Sequence, residues 1–239
     1  MMGIVKTLLQ NMWVKAMGHN QANILRLFEQ NPSARFLDLG CDDGEWTIKC
    51  ASAVGTKTIS GVDIVRQRLG VAESRGIETT HANLDEEIPL PDGSFDVIHA
   101  NQVIEHVSSI DHFAREIHRL LKPGAYAVIS TENASSWCNV AAMMMGWQMF
   151  SLTNLSSVHG GIGNPMAIHR GENVELSSWT HKTIFAYRGL IEFFKAHKFE
   201  FVQIQGAGYF PLPTVCARVD VRHAHFITIK IRKGSPKSV

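Results

Sequence analysis

Apolar and polar positions along this 239-residue chain follow two periods in turn. At the N-terminus Ile4, Val5, Leu8, Leu9, Met12, Trp13 and Ala16 recur at helical spacing. Ile24, Leu25, Leu27 and Phe28 extend the stripe as far as Asn31-Pro32. An amphipathic helix is expected here, either covering a ligand cleft or packing on a sheet edge. Short apolar runs then alternate with helix-period stretches: strands are predicted over 36–39, 58–62, 78–82, 95–100 and 126–130, with helices near 46–54, 66–75 and 111–121. Such alternation implies right-handed crossovers and a parallel sheet that holds its ligand at the carboxyl ends of the strands. After an interruption over 133–180 the pattern resumes with a helix at 183–197 and strands near 201–205 and 225–231. The expected organisation is one domain: a helical cover (1–31), a cofactor-binding core (32–132), a helical substrate-covering insertion (133–182) and a closing helix with strands (183–239).

The first strand runs into Asp38-Leu39-Gly40-Cys41-Asp42-Asp43-Gly44 before a helical stretch. Glycines in such a turn let backbone approach a polar ligand where a Cβ would obstruct it or forbid the required φ. About 20 residues on, Gly61-Val62-Asp63-Ile64 ends a second strand in a carboxylate, at the spacing suited to holding ribose hydroxyls. Together the two signals describe a nucleotide-type cofactor site. A dinucleotide enzyme would instead carry Gly-x-Gly-x-x-Gly, whose spacing seats a pyrophosphate at a helix N-terminus. Gly40 and Gly44 do not fit that pattern.

These blocks, with Asn83 through Pro89 to Ile98 and the Leu120-Leu121-Lys122-Pro123-Gly124 turn before the fifth strand, resemble the class I S-adenosylmethionine-dependent methyltransferases, within them the type 11 small-molecule group. The resemblance implies a Rossmann-like, mostly parallel seven-stranded α/β sheet with helices on both faces, the last strands including an antiparallel one. It implies S-adenosylmethionine as cofactor, with Asp38 near the methionine amino group and Gly40, Cys41 and Gly44 along the loop. Asp63 and Ile64 would lie at the ribose, Asn83 and Leu84 at the adenine, and Asn101 and Gln102 beside the sulfonium. Two positions depart from the family pattern: Asp42 stands where a second glycine is usual, and Asn83 where aspartate is usual. A carboxylate at 42 repels a pyrophosphate and tolerates an ammonium, while an asparagine amide still accepts a hydrogen bond.

For acceptor chemistry the candidates are His181, which matches a recurrent His-x-x-x-Phe element of the family, and His159 in the glycine-rich 156–165 stretch. Glu105 and His106 match another family feature and read either as catalytic or as a pair bracing a helix. The Met- and Trp-rich part of the insertion reads as an apolar acceptor lining or an ordinary core helix. The Gly146-Trp147-Gln148 and 206–211 segments are similar to bacterial type 11 enzymes of glycan and natural-product modification, which ranks a hydroxyl acceptor first. Rival readings are a cofactor-binding scaffold without activity and an NAD-dependent oxidoreductase on the same topology.

Composition narrows this further. With 23 basic and 22 acidic residues there is no global field for nucleic acid or an anionic membrane, and the basic end at Lys230, Arg232, Lys233 and Lys237 reads as a solvated terminus. Four scattered cysteines without metal-ligand spacing suit a reduced, cytoplasmic protein, and the twelve histidines give no ligand set, so no metal is expected. His223 and His225, two apart on a strand-like run, read as structural. No secretory signal or stably inserted membrane segment is expected, the partner is a small-molecule acceptor, and a homodimer is left open.

Overall fold

A computed structural model describes residues 2–172 and 177–235. Residues 173–176 of the insertion and Lys237 of the basic terminus lie outside them. Seven strands make one sheet in the order β3-β2-β1-β4-β5-β7-β6. They are β1 (Arg35–Leu39), β2 (Thr58–Asp63), β3 (Glu78–His81), β4 (Phe95–Asn101), β5 (Leu121–Glu132), β6 (Phe199–Ala207) and β7 (Phe226–Lys233). The β1–β2, β1–β4, β2–β3 and β4–β5 pairs are parallel, as strands joined by crossover connections require. Helices α1 (Met2–Leu27), α2 (Glu45–Val54), α3 (Arg66–Ser74), α4 (Ile110–Leu120), α5 (Trp137–Met144), α6 (Tyr187–Ala196) and α7 (Cys216–Val219) complete the chain.

Two compact units divide it, one made of Met1–Asn23, Thr131–Leu190 and Ile204–Thr228, the other of Ile24–Ser130, Ile191–Gln203 and Ile229–Val239. The second, the sheet unit, buries Ile24, Leu27 and Phe28 from the end of α1 with Phe36, Val54, Val97 and Val128. Arg119 on α4 ties down the loop that follows β3. Its guanidinium donates to the carbonyls of Ile88 and Leu90 and to Glu116, whose carboxylate in turn accepts from the Ile88 N–H at 2.9 Å. Such a fork, planar and permanently charged, fixes several acceptors at once.

The insertion unit is less helical than its apolar pattern predicts. Among the described residues of 133–182 it holds α5 and two short 3₁₀ turns, Phe150–Leu152 and Ser177–Trp179. Gly146, Gly161, Gly163 and Gly171, all at positive φ, break the rest into turns. Met143, Met144 and Met145 are not core; they are exposed, Met144 by 84%. The helix predicted from 183 begins only at Tyr187, because the Phe185 carbonyl accepts from the Ala134 N–H and a parallel bridge to Asn133 holds that segment extended.

The basic terminus also departs from expectation. Lys230, Arg232 and Lys233 belong to β7 and are anchored rather than solvated: Lys230 Nζ donates to the Leu27 carbonyl and Glu29, Arg232 to Gly124 and Glu29, Lys233 to His118 and Leu121. His223 and His225 do not share a strand face, since His223 lies in a 3₁₀ turn and His225 just before β7.

Candidate functional site

The loop between β1 and α2 turns on three residues at positive φ: Gly40 (77°), Asp42 (47°) and Gly44 (80°). Its N–H groups are largely spent inside the protein. Gly40 and Cys41 donate to the Val62 carbonyl at 2.8 and 3.1 Å, Asp42 to Asp63 Oδ2 at 2.9 Å, Gly44 to Cys41 and Glu45 to Asp43. A loop of this kind has few of these N–H groups left to offer a phosphate. The glycines answer protein atoms: a Cβ at Gly40 would lie 2.5 Å from Val103 Cγ2, and one at Gly44 would meet Ile77. What the loop carries instead is negative charge, with Asp42 held by Arg68 at 3.2 Å and Asp43 by Arg75 at 3.3 Å.

Asp63 ends β2 half-buried, Oδ2 accepting from Asp42 N–H and Oδ1 from Val65 N–H, which leaves each oxygen further acceptor capacity. Ile64 beside it is exposed, its carbonyl taking a hydrogen bond from His81. Asp38, expected at the ligand, is 2% exposed, one oxygen accepting from Thr47 Oγ1 at 2.6 Å and the other bonded to His99 Nδ1 at 2.7 Å. It sits beneath the loop as a brace. The Cys41 thiol is buried and pushed far above its usual pKa, first by desolvation and then by Asp38 and Asp63, so it stays protonated.

Asn83 closes its own turn: Oδ1 accepts from the Asp85 N–H and the side-chain amide donates to Glu86. Leu84 is half-buried next to it. At the end of β4, Asn101 Oδ1 and Gln102 Nε2 are buried polar atoms without a partner in the described protein, and Gln102 is held at φ 56°. Buried orphans and a positive-φ backbone in adjacent residues are features in keeping with a ligand site. Glu105 is buried and His106 half-buried in the turn that follows.

In the insertion unit His181 is half-buried, and the Ser151 carbonyl accepts from its Nδ1 at 2.7 Å. That bond fixes the tautomer, making Nε2 the basic nitrogen of the ring. His159 is exposed in the glycine-rich loop, whose backbone is pinned at Gly160 and Gly161 to Glu172 and Thr153. The sequence reading missed Thr47 and His99. A histidine inside the apolar β4 run, in register with Asp38 on β1, was the available signal.

Residues 12–201 match the family described as "Methyltransferase domain". The chain belongs to that family. Its fold is shared by solved methyltransferases whose cofactor is S-adenosylmethionine. Among solved structures it is similar to an S-adenosylmethionine dependent methyltransferase from Mesorhizobium loti, at TM-score 0.59 and 18% identity, over 89% of this chain and 96% of that one. A possible histamine N-methyltransferase from Thermotoga maritima gives TM-score 0.59 at 16% identity, over 96% of this chain and 91% of that one. At such identities the likeness shows the fold. Curated relatives include demethylmenaquinone methyltransferases of Lysinibacillus sphaericus, 33% identical over 103 residues (41% of this chain, 44% of the relative), and of Bacillus licheniformis, 33% over 110 residues (44% and 47%). The chain spans less than half the length of these relatives.

The residues present fit this cofactor. Acceptor capacity at Asp63 suits a ribose diol, carboxylates along the loop suit a cation, and the orphaned Asn101 and Gln102 atoms call for a polar ligand. Among the described residues no helix is long and apolar enough to cross a membrane.

Proposed function

We propose that this chain transfers a methyl group to a small-molecule acceptor, with Asp63, Ile64, Asn83, Leu84, Asn101 and Gln102 holding the cofactor and Asp38, Gly40, Cys41 and Gly44 shaping the loop against it. The observation that carries the reading is the state of that loop: its N–H groups are consumed by Val62, Asp63, Cys41 and Asp43, while its side chains are carboxylates. Carboxylates at Asp42 and Asp43 disfavour an anionic pyrophosphate there, which argues against the nicotinamide alternative. S-adenosylmethionine supplies an electrophilic methyl group. Methyl transfer to a neutral nucleophile asks mainly for alignment and exclusion of water, so the chain's work is positioning. Asp38 is a positioning residue, acting on the loop through Thr47.

A hydroxyl acceptor also needs a proton removed, and His181 is the better base, since the Ser151 carbonyl leaves its Nε2 as the proton-accepting nitrogen. His159, exposed, and the Glu105–His106 pair are secondary assignments. The same proposal places the reaction in the cytoplasm with the glycan or natural-product class of acceptor first, no nucleic-acid partner, and acceptor choice residing in the insertion. A second reading, a quinone-type acceptor, is favoured by the names of the curated relatives.

Calorimetry with S-adenosylhomocysteine tests the cofactor site. Tight binding is expected, weakened about 100-fold in Asp63→Ala, because loss of hydrogen bonds to a charged acceptor costs about 1.5–3 kcal/mol each. Unchanged affinity in a folded Asp63→Ala would overturn the assignment. Radiolabelled methyl transfer across glycan, polyketide-like and demethylquinone acceptors then separates the two acceptor readings, and His181→Ala on any hit should lower kcat on the order of 100-fold.

A further inference from the structure

The insertion unit holds a second chemically competent cluster that methyl transfer does not use. Cys138 lies in the first turn of α5, its Sγ 3.5 Å from His225 Nδ1 and 3.3 Å from Ser136 Oγ. On the far side of the imidazole, His225 Nε2 stands 3.8 Å from Glu132 Oε1, and the second oxygen of Glu132 is buried without a partner. Backbone bonds lock the histidine: its N–H donates to the Gly208 carbonyl and its carbonyl accepts from the Asn133 N–H, both at 2.8 Å. Phe210 and Phe226 set their rings edge-on against the imidazole at 5.1 and 4.6 Å. Sulfur, imidazole and carboxylate therefore stand in line, the two ring nitrogens facing opposite partners.

We propose that Cys138, His225 and Glu132 form a nucleophilic cysteine site, a thiolate paired with an imidazolium, that takes soft electrophilic carbon such as an enone, a quinone or an alkyl halide. Burial, two charges and two dipoles act on the sulfur. Burial opposes its ionisation and the Glu132 carboxylate opposes it further; the His225 cation, the Ser136 hydroxyl and the N-terminal turn of α5 favour it, and the net direction for the thiol is down. His225 moves the opposite way. Burial disfavours its cation, yet the thiolate and Glu132 outweigh that and raise its pKa. Cys138 is half-buried, whereas Cys41 and Cys50 are fully enclosed and their thiols are pushed up. In alkylation by iodoacetamide the thiol proton goes to His225 Nδ1, the sulfur forms the new S–C bond, the C–I bond breaks and iodide leaves. The site stands on its own geometry and does not depend on the methyl-transfer reading.

Pulsed iodoacetamide labelling of the intact protein, read by peptide mass spectrometry between pH 5.5 and 9, tests it. Half-buried Cys216 is the internal reference. At pH 6 Cys138 should label at least about tenfold faster than Cys216, with a rate nearly flat from pH 6 to 8, as a pre-formed thiolate requires. His225→Gln should abolish the advantage, and Glu132→Gln should leave the thiolate in place while lowering the pH at which the imidazolium is lost. Should His225→Gln fail to fold, by circular dichroism, the wild-type profile decides alone: a Cys138 rate that climbs about tenfold per pH unit between 6 and 8 overturns the proposal. So does a folded His225→Gln that labels like wild type.

Discussion

Two carboxylate–imidazole clusters, one in each unit, are built from similar parts to different ends. In the sheet unit Asp38 is closed on both sides, by Thr47 at 2.6 Å and His99 at 2.7 Å. In the insertion unit Glu132 stands 3.8 Å from His225, beyond a hydrogen bond, and the imidazole's other nitrogen meets a thiol instead of a ring-packed wall. Where both oxygens are bonded at short range inside the core, the cluster serves as a brace. Where one partner is a polarisable sulfur and one oxygen is orphaned, charge can separate and react.

The largest test of that contrast is Asp38→Ala. It strands His99 Nδ1 in a buried site and leaves Thr47 Oγ1 only the Cys41 carbonyl at 3.5 Å; an unsatisfied group costs about 1–3 kcal/mol, so a loss of about 3 kcal/mol is expected in denaturant unfolding. Glu132→Ala removes no close hydrogen bond and should cost about 1 kcal/mol or less. Equal losses would erase the distinction between brace and reactive cluster.

Next in size is Gly40→Ala in the loop over the brace. The left-handed φ of 77° alone costs a side chain about 1–2 kcal/mol, and the new Cβ would sit 2.5 Å from Val103 Cγ2. A total near 2–3 kcal/mol is expected, with Val103→Ala relieving the steric part only, as a double-mutant cycle would read it. Gly70 makes the control. It lies inside α3 with open space where its Cβ would go, so Gly70→Ala should stabilise by about 0.5–1 kcal/mol. If both alanines behaved alike, the loop would be looser than its hydrogen bonds imply.

The units also differ in how far their chemistry could be seen in the sequence. The sheet unit is built from local signals. Apolar runs gave four parallel pairings, and the Gly40–Gly44 turn and Asp63 lie where the spacing put them, at the ends of β1 and β2. Partnership is not local, however. Asp38 and His99 are 61 residues apart and Cys138 and His225 are 87 apart, so neither cluster carries a spacing signature. That is why Asp38 reads as a ligand contact in sequence and a brace in space. The insertion was misread for another reason: its methionines and tryptophans have helical spacing, but glycines at positive φ cut the stretch into turns, and a period cannot report where a chain is interrupted by backbone chirality. His99 alone was recoverable, being a titratable side chain inside an apolar strand in need of a partner.

The smallest effect belongs to a third carboxylate, at the rim of the sheet unit. Glu29 accepts from Lys230 and Arg232, both at 2.7 Å, but its side chain is 51% exposed, against 3% for Asp38. Its pKa is lowered chiefly by the hydrogen bond from Lys230, with burial pulling the other way and the charges of Lys230 and Arg232 adding to the decrease. A depressed carboxyl contributes stability that is fully present above its unfolded value of 4.5 and lost as the pH falls through the lower folded value. Because water screens a half-exposed pair, that contribution should stay under about 1 kcal/mol. Glu29→Gln is therefore expected to lower the unfolding free energy slightly at pH 7, with the gap closing below pH 4.5 and shrinking in molar salt. Lys230 keeps its bond to the Leu27 carbonyl in the variant, which limits the loss further. A penalty as large as that of Asp38→Ala would mean that exposure does not set the value of these carboxylates, and the ordering from buried brace to solvated rim would fail.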